Sequence, residues 1–188
     1  MNPVGKDTKE HRLAVRLADQ LDRTSLIAFP HPREKLIGKI ESWLTAESQI
    51  EIKINADAKA LLAQYEKASD SEQIDSHKMF LMIKKKLVSD RNLILQSDPT
   101  LSEEDKINHL AHVIEKGIMD DSDIDPKVTS APLLSGIKKV LAAHMEQEKE
   151  LHNLVRSRLA KGRVMEGSEE WELLYQRAVN EIAQKRGL

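Results

Sequence analysis

Residues 133–159 read LLSGIKKVLAAHMEQEKELHNLVRSRL, and this stretch decides the fold. Eight positions in this stretch follow one another at steps of three or four residues, which places their side chains on one face of an α-helix. The face consists of Leu134, Ile137, Leu141, His144, Glu148, Leu151, Val155 and Leu159. His144 and Glu148 interrupt an otherwise apolar stripe. The stretch therefore predicts a long amphipathic helix with a polar layer in its middle.

A second stretch, 97 residues earlier, repeats this pattern. Residues 36–62 read LIGKIESWLTAESQIEIKINADAKALL, and six of the eight equivalent positions are apolar in both copies. The equivalent positions are Ile37, Ile40, Leu44, Glu47, Glu51, Ile54, Ala58 and Leu62. The polar interruptions fall at the same two places, Glu47 and Glu51. We predict that the chain is a duplicated helical unit.

The predicted fold is all-α, with two tandem three-helix modules that are related by pseudo-symmetry. The modules span residues 1–96 and 103–188, each with one long central helix, and they pack as one globular unit. The predicted helices cover about 6–23, 33–66, 76–92, a segment that begins after Ser102, 133–159, and a last segment that begins after Ser168. Asp75, Ser102 and Ser168 are predicted N-caps. Residues 26–29 and 120–129 are predicted connectors.

Composition narrows the class of protein. The 188 residues include 40% hydrophobic, 32% charged and only 3% aromatic residues, a balance that favours helices over sheets. The absence of cysteine excludes disulfides, thiolate metal sites and thiol catalysis. No apolar run approaches the roughly 18–20 residues that cross a bilayer, and the polar residues 1–9 lack the apolar core of a secretory signal. We expect a soluble, cytoplasmic protein that has no membrane partner.

The polar layer consists of Glu47, Glu51, His144 and Glu148. If the two long helices face one another across an approximate two-fold axis, Glu47 and His144 approach each other, with Glu51 and Glu148 nearby. A polar layer of this kind weakens packing but can fix the register of two helices. The alternative is that the stripe turns outward in mid-helix, so that these groups are in water. The sequence leaves both interpretations open.

The densest basic segment lies in the third predicted helix. Lys84, Lys85 and Lys86, together with Lys78 and Arg91, form a candidate surface for a protein partner or for nucleic acid. Many surfaces that bind single-stranded nucleic acid have aromatic residues among the basic ones. No aromatic residues alternate with these lysines. A helix face that is simply solvated is the alternative.

No catalytic motif is present. The chain has only 7 glycines, and neither a phosphate-binding Gly-x-x-x-x-Gly-Lys loop nor a Gly-x-Ser-x-Gly elbow occurs. Asp121, Asp123 and Asp125 have the spacing that opens a calcium loop, but Pro126 and Pro132 occupy the sixth and twelfth positions, which need Gly and Glu. We predict no catalytic residue, no cofactor and no metal site.

The C-terminal residues resemble the closing signature of a known family. The matching residues are Glu166-Gly167-Ser168, Trp171-Glu172, Tyr175-Gln176, Ile182 and Lys185-Arg186-Gly187-Leu188. They resemble a bacterial domain-of-unknown-function family, number five hundred and seven in its series, whose members have a similar length. The resemblance implies a bacterial, helical, cytoplasmic protein. Because the family has no assigned activity, it implies no functional residue.

The functional prediction is a non-enzymatic interaction or scaffold protein with an unidentified protein partner. The alternative is a nucleic-acid-associated protein that uses the Lys84–Lys86 face. An enzyme with a site that no motif reveals is a third interpretation, and self-association is left open.

Overall fold

The computed structural model of the protein describes residues 8–68, 75–98, 100–160 and 169–186. These residues form six α-helices and two two-residue strands, so the all-α prediction is confirmed. The elements are α1 Lys9–Arg23, β1 Ile27–Ala28, α2 Arg33–Ala68, α3 Ser76–Asp90, α4 Glu103–Asp120, β2 Asp125–Pro126, α5 Ser130–Leu159 and α6 Glu169–Arg186. The predicted cap Ser168 lies outside the described residues.

Side-chain caps set the starts of three helices. The Thr8 side chain accepts a hydrogen bond from the backbone N–H of His11. Asp75 and Ser102 cap α3 and α4 in the same way, as predicted from the sequence. Each cap satisfies backbone donors that have no partner within the helix.

The main hydrophobic core lies between α1, α4 and the N-terminal parts of α2 and α5. The helix α1 contacts both α2 and α5, and α4 also contacts both. Close approach is possible because α1 and α4 present small, fully buried residues to their neighbours, namely Ala14, Ala18 and Ala111. Among the described residues, no Cα atom of α2 lies within 8 Å of a Cα atom of α5. The long helices thus lack the close backbone approach that the face-to-face interpretation would involve, because α1 and α4 cover their apolar stripes.

The C-terminal parts of α2 and α5 each extend beyond this core into a two-helix arm. One arm pairs α2 with α3, and the other pairs α5 with α6. The second arm has a small hydrophobic cluster of its own, centred on Leu151, Val155 and Ala178. Leu159, Tyr175, Val179 and Ile182 pack against this cluster. The N-terminal part of each long helix thus packs in the main hydrophobic core, and its C-terminal part forms one helix of an arm.

The two connectors pair with each other as a short antiparallel ribbon. Ile27 lies opposite Pro126, and Ala28 lies opposite Asp125. The N–H of Lys127 also donates to the carbonyl oxygen of Leu26 at 2.9 Å. The sequence predicted the two connectors but not their pairing, because segments so far apart in the chain carry no local turn signal.

The contacts between elements follow a two-fold pattern. The pair α1–α2 corresponds to α4–α5, α2–α3 corresponds to α5–α6, and α1–α5 corresponds to α4–α2. The ribbon joins β1 of the first half of the chain to β2 of the second half, so it is unchanged when the two halves are exchanged. A duplicated unit has this pattern of contacts. The module boundaries 1–96 and 103–188, and the superposition of the two modules, stay predictions.

Within the described ranges, no helix combines the length and the apolar character that crossing a lipid bilayer requires.

Alanine substitutions at two helical glycines are predicted to change the stability of the protein in opposite directions. A Cβ at Gly117 in α4 would lie 2.4 Å from Cδ2 of Trp43, whereas a Cβ at Gly38 in α2 would meet nothing within 4 Å. We expect Gly117→Ala to lower the free energy of unfolding by up to about 2 kcal/mol, because overpacking costs about 1–3 kcal/mol and helix propensity returns about 1 kcal/mol. Gly38→Ala should raise the free energy of unfolding by about 0.5–1 kcal/mol.

Urea unfolding followed by circular dichroism measures both changes. Fluorescence in a Trp171→Phe background reports Trp43 alone, since the chain has two tryptophans. The emission of Trp43 should change with Gly117→Ala and stay the same with Gly38→Ala. Equal stabilisation by the two alanines would contradict the packing of Trp43 on α4.

Candidate functional site

A cavity of about 150 Å³ lies where α1, α2, α4 and α5 converge. Four leucines, one from each helix, contribute to its walls: Leu13, Leu44, Leu110 and Leu141. The segment 94–96, which connects α3 to α4, closes one side. We call this space the axial cavity.

The lining residues of the axial cavity follow the internal repeat. Leu13 and Leu110 are 97 residues apart, as are Leu44 and Leu141. Glu47 and His144 have the same separation and also line the cavity. The two copies of the sequence pattern thus contribute equivalent positions to one space. They differ where one copy has a carboxylate and the other an imidazole.

His144 is the most unusual residue of the axial cavity. Its side chain is buried, with 4% exposure, and neither ring nitrogen has a hydrogen-bond partner. Burial lowers the pKa of the imidazole from 6.5 to about 4, against the opposing effect of Glu148 and with smaller contributions from Arg16, Lys9 and Arg12. The imidazole is therefore neutral at pH 7, with one N–H donor and one acceptor nitrogen.

The other members of the predicted polar layer have separate partners. The Glu47 carboxylate lies 2.9 Å from Nε2 of His109 on α4. Glu51 accepts a hydrogen bond from Ser97 and lies 3.7 Å from the Lys84 ammonium. Glu47 and His144 form no hydrogen bond with each other, since Glu47 pairs with His109 and neither ring nitrogen of His144 has a partner. The three residues Glu47, Glu51 and His144 do line the same cavity.

Glu148, the fourth member of the predicted polar layer, contacts α1. Its carboxylate is 3.8 Å from the Lys9 ammonium and 3.9 Å from the Arg12 guanidinium. The role of His109 as the partner of Glu47 was missed from the sequence. Only the packing of α4 on α2 reveals it.

The five basic residues of the candidate partner or nucleic-acid surface do not form one free face. Arg91 lies 2.8 Å from the Asp57 carboxylate of α2, and Lys84 pairs with Glu51. Lys78, Lys85 and Lys86 are exposed. Three of the five cations therefore remain on the solvent side of α3.

The acidic connector with calcium-like spacing binds a lysine. The Lys39 ammonium lies 2.6 Å from Asp121 and 3.2 Å from Asp123. The hydrogen bonds with Asp121 and Asp123 raise the pKa of Lys39, and the bond with Lys39 lowers the pKa of Asp121. Across the described parts of the chain, no group of three or more side chains is placed to hold a metal ion. Asp121 and Asp123 thus link the connector that contains β2 to Lys39 of α2.

Comparison with protein families decides the relationship of the chain. The family model described as a protein of unknown function (DUF507) matches residues 6–188. The chain belongs to the DUF507 family. The resemblance in the C-terminal signature is thus confirmed and extends over almost the whole chain. No curated protein matches this DUF507 chain.

Proposed function

We propose that this DUF507 chain is a non-enzymatic interaction or scaffold protein that docks a protein partner on the solvent face of α3. The observation that carries the proposal is that α3 has no buried residue, although it is rich in large apolar side chains. Leu81 is 50% exposed and Met82 is 61% exposed. Adjacent exposed apolar side chains on one helix are typical of interaction surfaces.

The exposed side chains share one face of the helix. Lys78, Leu81, Met82 and Lys85 are spaced by three, one and three residues, so that they lie side by side. The half-buried residues of α3 include Phe80 and Lys84, and Lys84 pairs with Glu51 of α2. The solvent face of α3, defined by Lys78, Leu81, Met82 and Lys85, therefore has an apolar centre with a cation at each end.

The chemistry of this face selects the kind of partner. An amphipathic helix can place its apolar side on Leu81 and Met82. Acidic residues that flank this apolar side would then lie near Lys78 and Lys85, and electrostatic complementarity would accelerate association. We therefore propose an acidic amphipathic helix of another protein as the partner segment.

Site-specific photo-crosslinking in cells tests this proposal. A photoreactive residue in place of Met82 should give a discrete adduct with one protein. The matched control is Met119 on α4, which is 53% exposed but lies outside the solvent face of α3. A photoreactive residue at position 119 should not give this adduct.

A charge reversal tests the electrostatic part of the proposal. The partner identified by crosslinking is purified for this measurement. The double variant with Lys78→Glu and Lys85→Glu should bind it about tenfold or more weakly than the wild-type chain does. The affinity of the wild-type chain should fall as salt is added. Both lysines are exposed, so the fold should not change. Identical adducts from positions 82 and 119 would contradict the proposal. An adduct of twice the 21.3-kDa chain would identify a second copy as the partner instead.

Nucleic acid is the less well supported partner. Lys84 and Arg91 are neutralised by Glu51 and Asp57, which reduces the charge available for phosphates. The net charge of the chain is −2, so no general attraction compensates for this loss. Gel-shift binding that weakens steeply with salt and is lost with Lys84→Glu and Lys86→Glu would favour this alternative. A cytoplasmic location and a bacterial source stay predictions.

A further inference from the structure

We propose that the axial cavity binds a small uncharged molecule, with an apolar body of about one ring and a hydroxyl group that hydrogen-bonds to His144. This site is distinct from the solvent face of α3. The hydrogen bonds, the size and the charge of the cavity support this proposal.

The hydrogen bonds of the lining residues leave one group without a partner. Glu10 accepts from Ser48 at 2.8 Å, and Gln96 donates to the Lys106 carbonyl oxygen at 3.4 Å. Glu47, Glu51 and Lys9 have the partners described above. Among the described lining side chains, both polar atoms of His144 alone are buried and unsatisfied. A buried polar group without a hydrogen bond costs about 1–3 kcal/mol, so a ligand that bonds to it gains affinity.

The size and the walls of the cavity limit the ligand. A volume of about 150 Å³ matches cavities in protein cores that hold one benzene-sized molecule. The four leucines of the walls offer apolar contact on several sides. Larger ligands, which need roughly 300–1,000 Å³, would not fit.

The charges around His144 favour a neutral hydroxyl compound over an ion. Glu10, Glu47 and Glu51 line the cavity and repel anions. A cation would compete with the Lys84 ammonium for Glu51 and with the His109 ring for Glu47. A neutral imidazole can accept a hydrogen bond from a hydroxyl group through its unprotonated nitrogen.

Burial keeps the imidazole of His144 neutral, and the charged groups that face it have smaller, opposing effects. The carboxylate of Glu148 on its own helix favours protonation, whereas Arg16, Lys9 and Arg12 of α1 oppose it.

The cavity has an opening to solvent through which a small ligand can enter. Ile94 is 39% exposed at one side, and the side chain of Lys9 is 62% exposed. Both residues also line the cavity. The segment around Ile94 belongs to the connector rather than to a helix. The opening therefore lies between α1 and this connector.

Phenol and toluene form a matched pair of probes, because they differ only by a hydroxyl and a methyl group. Titration of the full chain, observed by NMR of leucine methyl groups and of the histidine ring nitrogens, measures both affinities. We expect phenol to bind with a dissociation constant on the order of 1 mM or lower. Its affinity should exceed that of toluene by about tenfold. Benzoate, the charged control, should not bind.

Two variants separate the hydrogen bond from the shape of the cavity. His144→Leu should remove or invert the preference for phenol, while toluene still binds. Leu110→Phe, which adds volume to a wall, should abolish binding of both probes and leave the His144 ring signals in place. The second variant tests the site even if the first does not fold. Wild-type leucine and His144 signals that neither probe shifts would show that only water occupies the cavity and would overturn the proposal. Equal affinity for phenol and toluene would also overturn it.

Discussion

Ile137→Ala is expected to lower the free energy of unfolding by about 2–5 kcal/mol, because it removes three carbons from the centre of the shared core. Ile137 has no exposed surface and belongs to the main hydrophobic cluster. That cluster includes residues of α1, α2, α4 and α5. The loss should therefore destabilise the helices of both predicted modules together.

Hydrogen exchange combined with urea unfolding measures this effect. Protection should fall in α1 and α4 as well as in α5, with one cooperative transition. The control Ile52→Ala changes a side chain that is 58% exposed on α2, and it should alter stability by less than about 0.5 kcal/mol.

Val155→Ala gives a contrast from the arm formed by α5 and α6. Val155 is fully buried in the separate small cluster of that arm. Its truncation should reduce protection mainly in α6 and at the end of α5. If Ile137→Ala left α1 fully protected, the shared core would be refuted, and the two modules would fold independently.

His144→Leu is expected to raise the stability of the protein and to remove a pH dependence. At pH 7.5 the gain should be about 1 kcal/mol, because two buried nitrogens without partners are replaced by apolar atoms of similar volume. This variant has the largest expected effect on the pH profile, because His144 is the buried histidine of the described core.

The direction of the pH dependence follows from proton binding. The pKa of His144 is about 4 in the folded chain against 6.5 as its ordinary value. Between these values the unfolded chain binds more protons, so acid favours unfolding. The wild-type stability should therefore fall as the pH decreases from about 6.5 to 4, with a loss of about 2 kcal/mol already at pH 5. The advantage of His144→Leu should widen from about 1 to about 3 kcal/mol.

Urea unfolding of both proteins between pH 5 and 7.5 measures the difference. His77, which is exposed at the start of α3, provides the control. The variant His77→Leu should keep the wild-type pH profile. Parallel profiles for wild type and His144→Leu would contradict the prediction, because they would mean that His144 binds protons equally in the folded and the unfolded chain.

The regular spacing of apolar residues was sufficient to predict the helices. The long helices α2 and α5 carry stripes of three- and four-residue steps, and Asp75 and Ser102 mark helix starts by local hydrogen bonds. These signals lie within a few residues of one another. They can be recognised without knowledge of the rest of the fold.

The partners of the polar layer needed the tertiary structure. The sequence identified Glu47 and His144 as equivalent interruptions of two stripes, and both do line the axial cavity. It did not reveal that Glu47 pairs with His109, because that contact joins residues 62 positions apart on α2 and α4. The sequence likewise did not reveal that Lys84 and Arg91 pair with carboxylates of α2.

The amino-acid sequence by itself thus determined the helix content, the starts of α2, α3 and α4, and the family. The tertiary structure alone decided that α1 and α4 separate the long helices, that the connectors pair, and that His144 is buried without a partner. The physical reason is the range of the interactions. Helix periodicity and capping depend on neighbours three or four residues apart, whereas burial and ion pairing depend on which distant surfaces the packing of the helices brings together.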